Sequence, residues 1–379
     1  MKKISYTNYN VFFYTLFILF FFIVENFSLS QNKYMYMLLF SLSFFSIFMV
    51  ILLQKNTIKE NLIILFFLFL CFYPFFIAEK KTIFILLAIF FCKNIGIRKI
   101  LTIFLVFNIF FFILHIVFYK IGILDNIIID FSRNIDGEKY IFNRNTLGFS
   151  NPNNAGYFFF LIVTLFFIII KKVRFYYIAF FLVLNQYLYT LLYSKTSYIM
   201  VLFFLLCLCI INYINLFRFY IVRFLANSSY IICFCVSFYL SYCFNLNNKL
   251  FYALNEHLTG RLEMANIFLY EYKIKFLGQK LVYITEPISD YMALDNFYIK
   301  LLLAFGPLIC IIFLFYSYKL ISTLLYYKLY IEVLVMVSIA IYGISENFLN
   351  SFHINYSTIF LSFLLYKNKI SEYKMEKVS

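Results

Sequence analysis

The chain has 379 residues, of which 64% are hydrophobic and only 13% are charged, and its net charge is +15. A soluble domain cannot bury so much apolar surface, so this composition excludes an ordinary soluble protein. The positive charge is typical of cytoplasmic loops in membrane proteins, and no soluble segment carries the basic, aromatic stripe of a nucleic-acid-binding surface. The apolar runs are continuous rather than alternating, which predicts helices. We therefore predict an all-α polytopic integral membrane protein, one membrane domain over residues 1–379.

Apolar runs long enough to cross a bilayer predict about twelve transmembrane helices. The first follows Met1-Lys2-Lys3 and is not followed by a small-residue cleavage site, which predicts an uncleaved span rather than a signal peptide. The fourth span is short and contains Lys93. The spans are predicted at 9–25, 34–53, 61–78, 82–97, 100–119, 155–170, 175–193, 197–215, 220–243, 296–317, 329–346 and 352–366.

The distribution of Lys and Arg predicts that both termini are cytoplasmic. With the N-terminus inside, eighteen Lys and Arg residues fall in inner segments and four in the short outer loops, which follows the positive-inside rule. The same orientation places two long loops, 120–154 and 244–295, on the extracytoplasmic side. Long loops in compact proteins are usually functional or disordered, so the active face is predicted to be the outer one.

The first long loop ends in the polar run RNTLGFSNPNNAG, Arg144 to Gly156, which leads into the sixth span. Asn151 is a favourable helix cap and Pro152 is favourable in the first helical turn. The free backbone N–H groups at such a helix start, with Arg144 nearby, are suited to an anion.

In the second long loop, Thr259-Gly260-Arg261-Leu262-Glu263 precedes apolar residues at helical spacing. This pattern predicts a short amphipathic helix at the membrane surface, with Thr259 as its cap. Arg261 then lies in the first turn, where the helix dipole disfavours a cation. Two explanations remain open: Arg261 pairs with Glu263 or is solvated, or an anion is bound at the helix start.

Other polar residues lie at the outer ends of predicted spans. Asp295 opens the tenth span and is either a helix cap or a general base facing the outer surface. Glu346, near the outer end of the eleventh span, is a candidate for function because carboxylates in membranes are costly. Lys195 fits snorkelling to the interface, and His257 is a candidate for proton transfer near Arg261.

Motifs of the common soluble enzymes are absent. The sequence has no dinucleotide-binding, Walker, zinc-protease or nucleophile-elbow signature. The three histidines are dispersed, and the eight cysteines form no C-x-x-C pair, which is typical of small packing residues. We therefore predict neither a metal site nor a cofactor.

Five stretches together resemble the bacterial Wzy-type polysaccharide polymerases and O-antigen ligases. RNTLGFSNPNNAG is similar to the family's Arg-x-x-x-Gly-Phe-x-(His/Asn)-Pro-Asn loop, and LYSKTSYIMV resembles its Ser-Arg-Thr segment with Lys195 in place of Arg. LTGRLEMANIFLYEYKIKFLGQK resembles a Gly-Arg motif followed by Phe-Leu-Gly. LDNFYIKLLLAFGP resembles Asp/His-Asn-x-Tyr-Leu…Gly, and ISENFLNSFHIN resembles a Glu…Asn stretch. The resemblance runs from Arg144 to Asn355 in the family's order; before it, only hydropathy agrees.

The resemblance implies a glycosyltransferase of the bacterial cytoplasmic membrane. It would join oligosaccharide repeat units carried on undecaprenyl pyrophosphate, on the outer leaflet, without a nucleotide sugar or a metal. Its partners would be these lipid-linked units, the bilayer, and a flippase and a chain-length regulator of the same pathway. Arginine forks and helix N-termini suit a pyrophosphate. The predicted catalytic residues are Arg144, Arg261 and Asp295 (the base); the predicted substrate-binding residues are Arg133, Asn153, Lys195, His257, Asn296 and Glu346.

Three alternatives stay open. An O-antigen ligase-like enzyme would transfer a finished glycan, although those ligases tend to carry His where this chain has Asp295. A lipid-linked oligosaccharide flippase or a secondary transporter would have a similar span count, but the two halves do not match and Gly and Pro are scarce. A membrane scaffold or receptor is compatible with hydropathy alone.

Overall fold

A computed structural model describes residues 2–26, 33–77, 82–124, 128–135, 138–170, 173–283, 293–347 and 355–378. Helices make up most of this part of the chain. They are α1 Lys2–Asn26, α2 Lys33–Leu53, α3 Ile58–Ile77, α4 Thr82–Phe90, α5 Ile97–Lys120, α6 Pro152–Ile169, α7 Phe175–Leu192, α8 Lys195–Tyr213, α9 Tyr220–Asn227, α10 Ser229–Tyr242, α11 Lys249–His257, α12 Arg261–Glu271, α13 Phe297–Tyr326, α14 Tyr330–Tyr342, α15 Ser362–Leu365 and α16 Lys367–Val378, with short 3-10 helices at Leu216–Arg218 and Tyr356–Leu361.

Seven of the described helices are long and apolar enough to cross a membrane by length and composition: α1, α2, α5, α6, α7, α8 and α13. The pair α9 and α10, bent by 63°, would be an eighth span. The protein is therefore a multi-pass helical membrane protein, as predicted, but the count of twelve spans is not confirmed. The predicted spans 329–346 and 352–366 correspond to shorter apolar helices, Tyr330–Tyr342 and Tyr356–Leu365.

The predicted span 82–97 is a helix of only nine residues. At 1.5 Å per residue it is about 13 Å long, less than half of the hydrocarbon core. Polar contacts explain why it stops early. The Lys93 ammonium donates to the Lys55 carbonyl at 2.9 Å and to Glu60 at 2.6 Å, and the Lys369 ammonium donates to main-chain carbonyls just beyond the end of α4.

The first long loop contains two antiparallel strands that hydropathy did not predict. β1 Ile128–Ile135 pairs with β2 Glu138–Asn145, and Ile128 lies opposite Asn145. Between them the sequence reads Asp136-Gly137, a dipeptide favoured in tight hairpin turns, so a local signal was present.

Helix α13 is broken at Gly306, whose φ of 82° and ψ of 164° are open essentially to glycine alone. Pro307 follows, and proline both lacks an N–H and disfavours a helical residue before it. A turn of the second long loop, residues 276–279, packs into this break. The Gln279 N–H donates to the Ala304 carbonyl at 3.1 Å, which satisfies an acceptor that the break leaves without its helical partner.

The chain forms two compact units. The first, here called the Arg261 unit, comprises Met1–Tyr14, Ser46–Ile97 and Phe217–Lys374. In it α13 packs against α10 and α14. The second, the Arg144 unit, comprises Thr15–Phe45, Arg98–Leu216 and Met375–Ser379, and in it α6 packs against α7 and α8. Each unit contains a group of predicted site residues.

Candidate functional site

Three charged side chains meet in the Arg261 unit, at neighbouring ends of α12, α13 and α14. The Arg261 Nη2 donates to the Glu346 Oε1 at 2.6 Å, and its Nε lies 3.8 Å from the Asp295 Oδ2. The Arg261 and Glu346 side chains are 11% and 5% exposed, whereas that of Asp295 is 37% exposed. We call these three residues the carboxylate cluster. One of its carboxylates is buried in an ion pair, and the other is open to a substrate.

The start of α12 sets the position of Arg261. Gly260, with φ of 81°, is the cap residue, and the capping side chain comes from Asn255 in the preceding helix. The Asn255 Oδ1 accepts from the Glu263 backbone N–H at 3.2 Å, while its Nδ2 donates to the Glu263 Oε2 at 3.1 Å. The predicted Thr259 cap is therefore wrong. The predicted Arg261–Glu263 pair is also wrong, because Glu263 is bonded to Asn255 and Arg261 pairs with Asp295 and Glu346.

The buried face of the predicted amphipathic helix is confirmed. Leu262, Ala265 and Phe268 are buried, as their spacing predicts. Burial of this face holds Arg261 against the protein interior rather than in solvent.

Asn296, and not Asp295, caps α13. The Asn296 Oδ1 accepts from the backbone N–H groups of Tyr298 at 3.0 Å and Ile299 at 3.1 Å. Two further bonds fasten this helix start to the end of α14: the Phe297 N–H donates to the Gly343 carbonyl at 3.0 Å, and the Tyr298 hydroxyl to the Ala340 carbonyl at 2.7 Å. The structure thus gives Asn296 a capping role and leaves the Asp295 carboxylate available beside Arg261.

The carboxylate cluster holds one positive and two negative formal charges. A bound anion was one predicted explanation for a cation in the first turn of α12. The anions beside Arg261 in this structure are the carboxylates of Asp295 and Glu346. Such a cluster is suited to taking a proton from a hydroxyl group. It is less suited to holding a polyanion, which the two carboxylates repel.

The Arg144 unit contains the second group of predicted residues. The Arg144 Nη2 donates to the Asn153 Oδ1 at 2.7 Å, and its Nε donates to the Leu192 carbonyl at the end of α7 at 3.2 Å. The Asn151 Oδ1 accepts from the Asn153 N–H at 2.8 Å, and Pro152 is the first residue of α6. The predicted loop, cap and helix start are confirmed, and Arg144 lies at the N-terminus of α6.

Two serines that were not predicted as site residues complete this group. The Ser194 Oγ donates to the Asn153 Oδ1 at 3.0 Å and lies 2.6 Å from the Ser197 Oγ. Gly156 allows α6 to approach them, because a Cβ at this position would lie 2.7 Å from the Ser197 Cβ. The run Ser-Lys-Thr-Ser at the start of α8 was a usable signal, since small hydroxyl residues favour helix starts.

The remaining predicted residues are Lys195, His257 and Arg133. Lys195 is an exposed first residue of α8, and the side chain of His257 is exposed and forms no hydrogen bond with the described residues. Arg133 lies opposite Tyr140 in the hairpin, and its side chain is outside the described part of the chain. Residues 348–354 of the ISENFLNSFHIN stretch also lie outside the described residues.

Within the described ranges, no group of three or more His, Cys, Asp and Glu residues is placed to hold a metal ion. Comparison with models of protein families, with curated proteins and with solved structures finds no match. The fold and its apolar helices therefore define the class, a multi-pass helical membrane protein.

Proposed function

We propose that the protein is a polymerase that joins oligosaccharide repeat units carried on undecaprenyl pyrophosphate, on the outer face of the bacterial cytoplasmic membrane. One observation carries this proposal: Arg261, Asp295 and Glu346 belong to three separate stretches that resemble the Wzy-type family, and they meet in one cluster. Arg261 and Glu346 are 85 residues apart in the sequence. A contact over that distance is not imposed by local sequence, so it is independent support for the resemblance.

The chemistry assigns the proton to Asp295. A hydroxyl of the acceptor sugar attacks the anomeric carbon of the donor, and a new C–O bond forms. The bond between that carbon and the pyrophosphate oxygen breaks, and its electron pair leaves with undecaprenyl pyrophosphate. The hydroxyl proton passes to the Asp295 carboxylate, which is the more exposed of the two acids. Arg261, fixed by Glu346, sets the position of that carboxylate.

The pyrophosphate role is assigned to Arg144. Its guanidinium is bonded to Asn153 in the first turn of α6, so a cation and a helix N-terminus coincide, and both favour phosphate oxygens. Arg261 would have to give up its ion pair with Glu346 in order to bind the pyrophosphate as well. In the proposal Arg261 therefore positions Asp295 and Arg144 binds the leaving group.

Deletion of the gene in a strain that makes a surface polysaccharide tests the proposal against its alternatives. We expect long polymer to disappear while single lipid-linked units accumulate on the outer leaflet. Accumulation on the inner leaflet would identify a flippase. Polymer that is still made but stays on its lipid would identify a ligase, and unchanged polysaccharide would remove the whole class.

The same strain tests the pyrophosphate assignment. Arg144→Ala should abolish long polymer, because loss of one charged phosphate ligand typically removes two orders of magnitude or more of rate, about 10² to 10³. Arg174→Ala is the matched control, since Arg174 is an exposed arginine bonded to Tyr176 in the same unit. Membrane abundance of both variants is measured by blotting. Normal chain lengths with Arg144→Ala would overturn the assignment.

A further inference from the structure

The Arg261 unit contains a groove of about 830 Å³ between α3, α4, α13 and the helical segment before Tyr366. One face of α13 forms its floor. Ile309, Ile312 and Tyr316, which follow the break at Gly306, line it at the three- or four-residue intervals of one helical stripe. This stripe is about 11 Å long by helix rise, and Leu301 and Phe305 line the groove before the break.

The opposite walls are apolar and half-buried. Phe67 lines the groove from α3, Leu86 from α4 and Leu364 from α15, and each is only partly covered by protein. A half-covered apolar groove in a membrane protein is not left empty, because a void forfeits the contacts of its lining atoms. Lipid hydrocarbon is the solvent that reaches it, and one leaflet of hydrocarbon is about 15 Å thick, long enough to cover the stripe.

One end of the groove is basic. Four lysines and two glutamates line this end, which gives a formal charge of +2: Lys59, Lys93, Lys319, Lys369, Glu60 and Glu372. Lys93 is paired with Glu60 at 2.6 Å, and Lys369 is bonded to main-chain carbonyls, including that of Ile95 at 2.8 Å.

The other two lysines at this end, Lys59 and Lys319, are exposed, and their ammonium groups form no hydrogen bond or ion pair with the described residues. They come from different helices, α3 and α13, and both line the same groove. Their charge is therefore not neutralised within the described part of the unit.

We propose that this groove binds one anionic glycerophospholipid of the leaflet that Lys59 and Lys319 face. An acyl chain lies along the α13 stripe, and the phosphodiester binds the two ammonium groups. The Lys and Arg distribution predicts that this end is cytoplasmic, where anionic lipids attract basic residues by about 1 kcal/mol each. The inference does not depend on the proposed polymerase activity, because lipid binding is measured without it.

The absence of tryptophan from the chain makes a direct test possible. Leu86→Trp places a single fluorophore in the groove, and the purified variant is reconstituted in vesicles of phosphatidylcholine and phosphatidylglycerol. Either lipid is supplied with brominated acyl chains, which quench tryptophan on contact. We expect half-maximal quenching by the brominated anionic lipid at a mole fraction about thirtyfold lower than by the brominated neutral lipid, as two lysines near the surface predict.

Two controls decide the outcome. Phe69→Trp, at a position that is 80% exposed on α3 and does not line the groove, should be quenched equally by both lipids. Lys59→Gln/Lys319→Gln in the Leu86→Trp background should remove the preference. Equal quenching at Leu86→Trp, or a preference that survives the double lysine change, would overturn the proposal. Ile309→Trp, on the α13 floor of the groove, serves as reporter if Leu86→Trp does not fold.

Discussion

Arg261 and Glu346 form a buried ion pair, with 2.6 Å between Nη2 and Oε1, across 85 residues of sequence. The pair joins the start of α12 to the end of α14. Asp295 lies next to it at the start of α13, so three chain segments converge on one guanidinium.

Removing either partner of this pair should destabilise the protein strongly. Glu346→Gln leaves a largely buried guanidinium without its closest carboxylate, and breaking a buried pair costs about 3–5 kcal/mol. Arg261→Gln should cost a similar amount because it leaves the Glu346 carboxylate buried. Thermal unfolding of the purified variants in detergent measures both effects.

The double variant Arg261→Gln/Glu346→Gln provides the decisive comparison. Two neutral amides can hydrogen-bond to each other, so the double change should cost less than the sum of the single changes. Strictly additive losses would show that the two side chains do not interact in the folded protein.

Under the proposed function, Asp295→Asn should remove polymerase activity and leave stability nearly unchanged. The substitution keeps the shape of the side chain but lowers its ability to accept a proton, and loss of a general base typically costs about 10² to 10⁴ in rate. Because Asp295 is 37% exposed and 3.8 Å from Arg261, its removal should barely change the melting temperature. The measurement is polymer formed from lipid-linked repeat units by purified protein.

Glu271→Gln is the control for Asp295→Asn, since Glu271 is an exposed carboxylate of the same loop region and lies outside the carboxylate cluster. It should have wild-type activity. An active Asp295→Asn variant would assign the base to another residue.

Local signals made the start of α6 predictable. Asn151 and Pro152 act within three residues of the helix they begin, so their effect can be derived from sequence alone. The predicted cap of α12 was wrong, because Asn255, which precedes Glu263 by 8 residues, supplies the capping oxygen instead of Thr259.

Contacts between distant segments were not predictable. Asp295 was a predicted cap for α13. In the structure the Asn296 side chain caps this helix, and the Phe297 N–H is bonded to the Gly343 carbonyl. Similarly, hydropathy extended α4 beyond Phe90, whereas Lys369, 277 residues away from Cys92, binds the carbonyls that end it. The length of an individual span therefore depends on partners that are distant in the sequence. The helical membrane class, in contrast, follows from composition alone.

Stability near α3 should depend on pH through Glu60. Partial burial raises the pKa of this carboxyl, but hydrogen bonds from Lys93 and from the Thr57 backbone N–H outweigh it, so the pKa lies below the ordinary value. The stabilising effect is therefore complete above the ordinary pKa of glutamate, about 4.3, and is lost as pH falls through the lowered folded-state value.

The measurement is the melting temperature of wild type and Glu60→Gln across this range. Wild type should be the more stable protein near neutral pH, and the difference should vanish in acid. A difference that is constant with pH would mean that Glu60 acts through packing rather than through its charge.

Gly156→Ala should force α6 away from α8 and disturb the Arg144–Asn153 contact. The added methyl would lie 2.7 Å from the Ser197 Cβ, and overpacking of this kind costs about 1–3 kcal/mol. Ser197→Gly removes the clashing atoms, so the double variant should recover most of the lost stability and, under the proposed function, most of the polymer formed. Failure of Ser197→Gly to rescue Gly156→Ala would mean that the two helices are not in contact at this position.

Gly278 and Gly306 should both resist substitution by alanine, because backbone atoms of the facing segment fill the space that an added Cβ would need. A Cβ on Gly306 would lie 2.6 Å from the Gly278 nitrogen, and a Cβ on Gly278 would lie 2.6 Å from the Ala304 carbonyl carbon. Both glycines also have φ above 80°, which costs an alanine about 1–2 kcal/mol.

Gly122→Ala separates the effect of φ from the effect of packing, since Gly122 has φ of 76° but no atom within 4 Å of an added Cβ. We expect folded protein, measured by size-exclusion chromatography in detergent, to be retained with Gly122→Ala and lost with Gly278→Ala and Gly306→Ala. Equal yields of the three variants would contradict the packing of residues 276–279 into the break of α13.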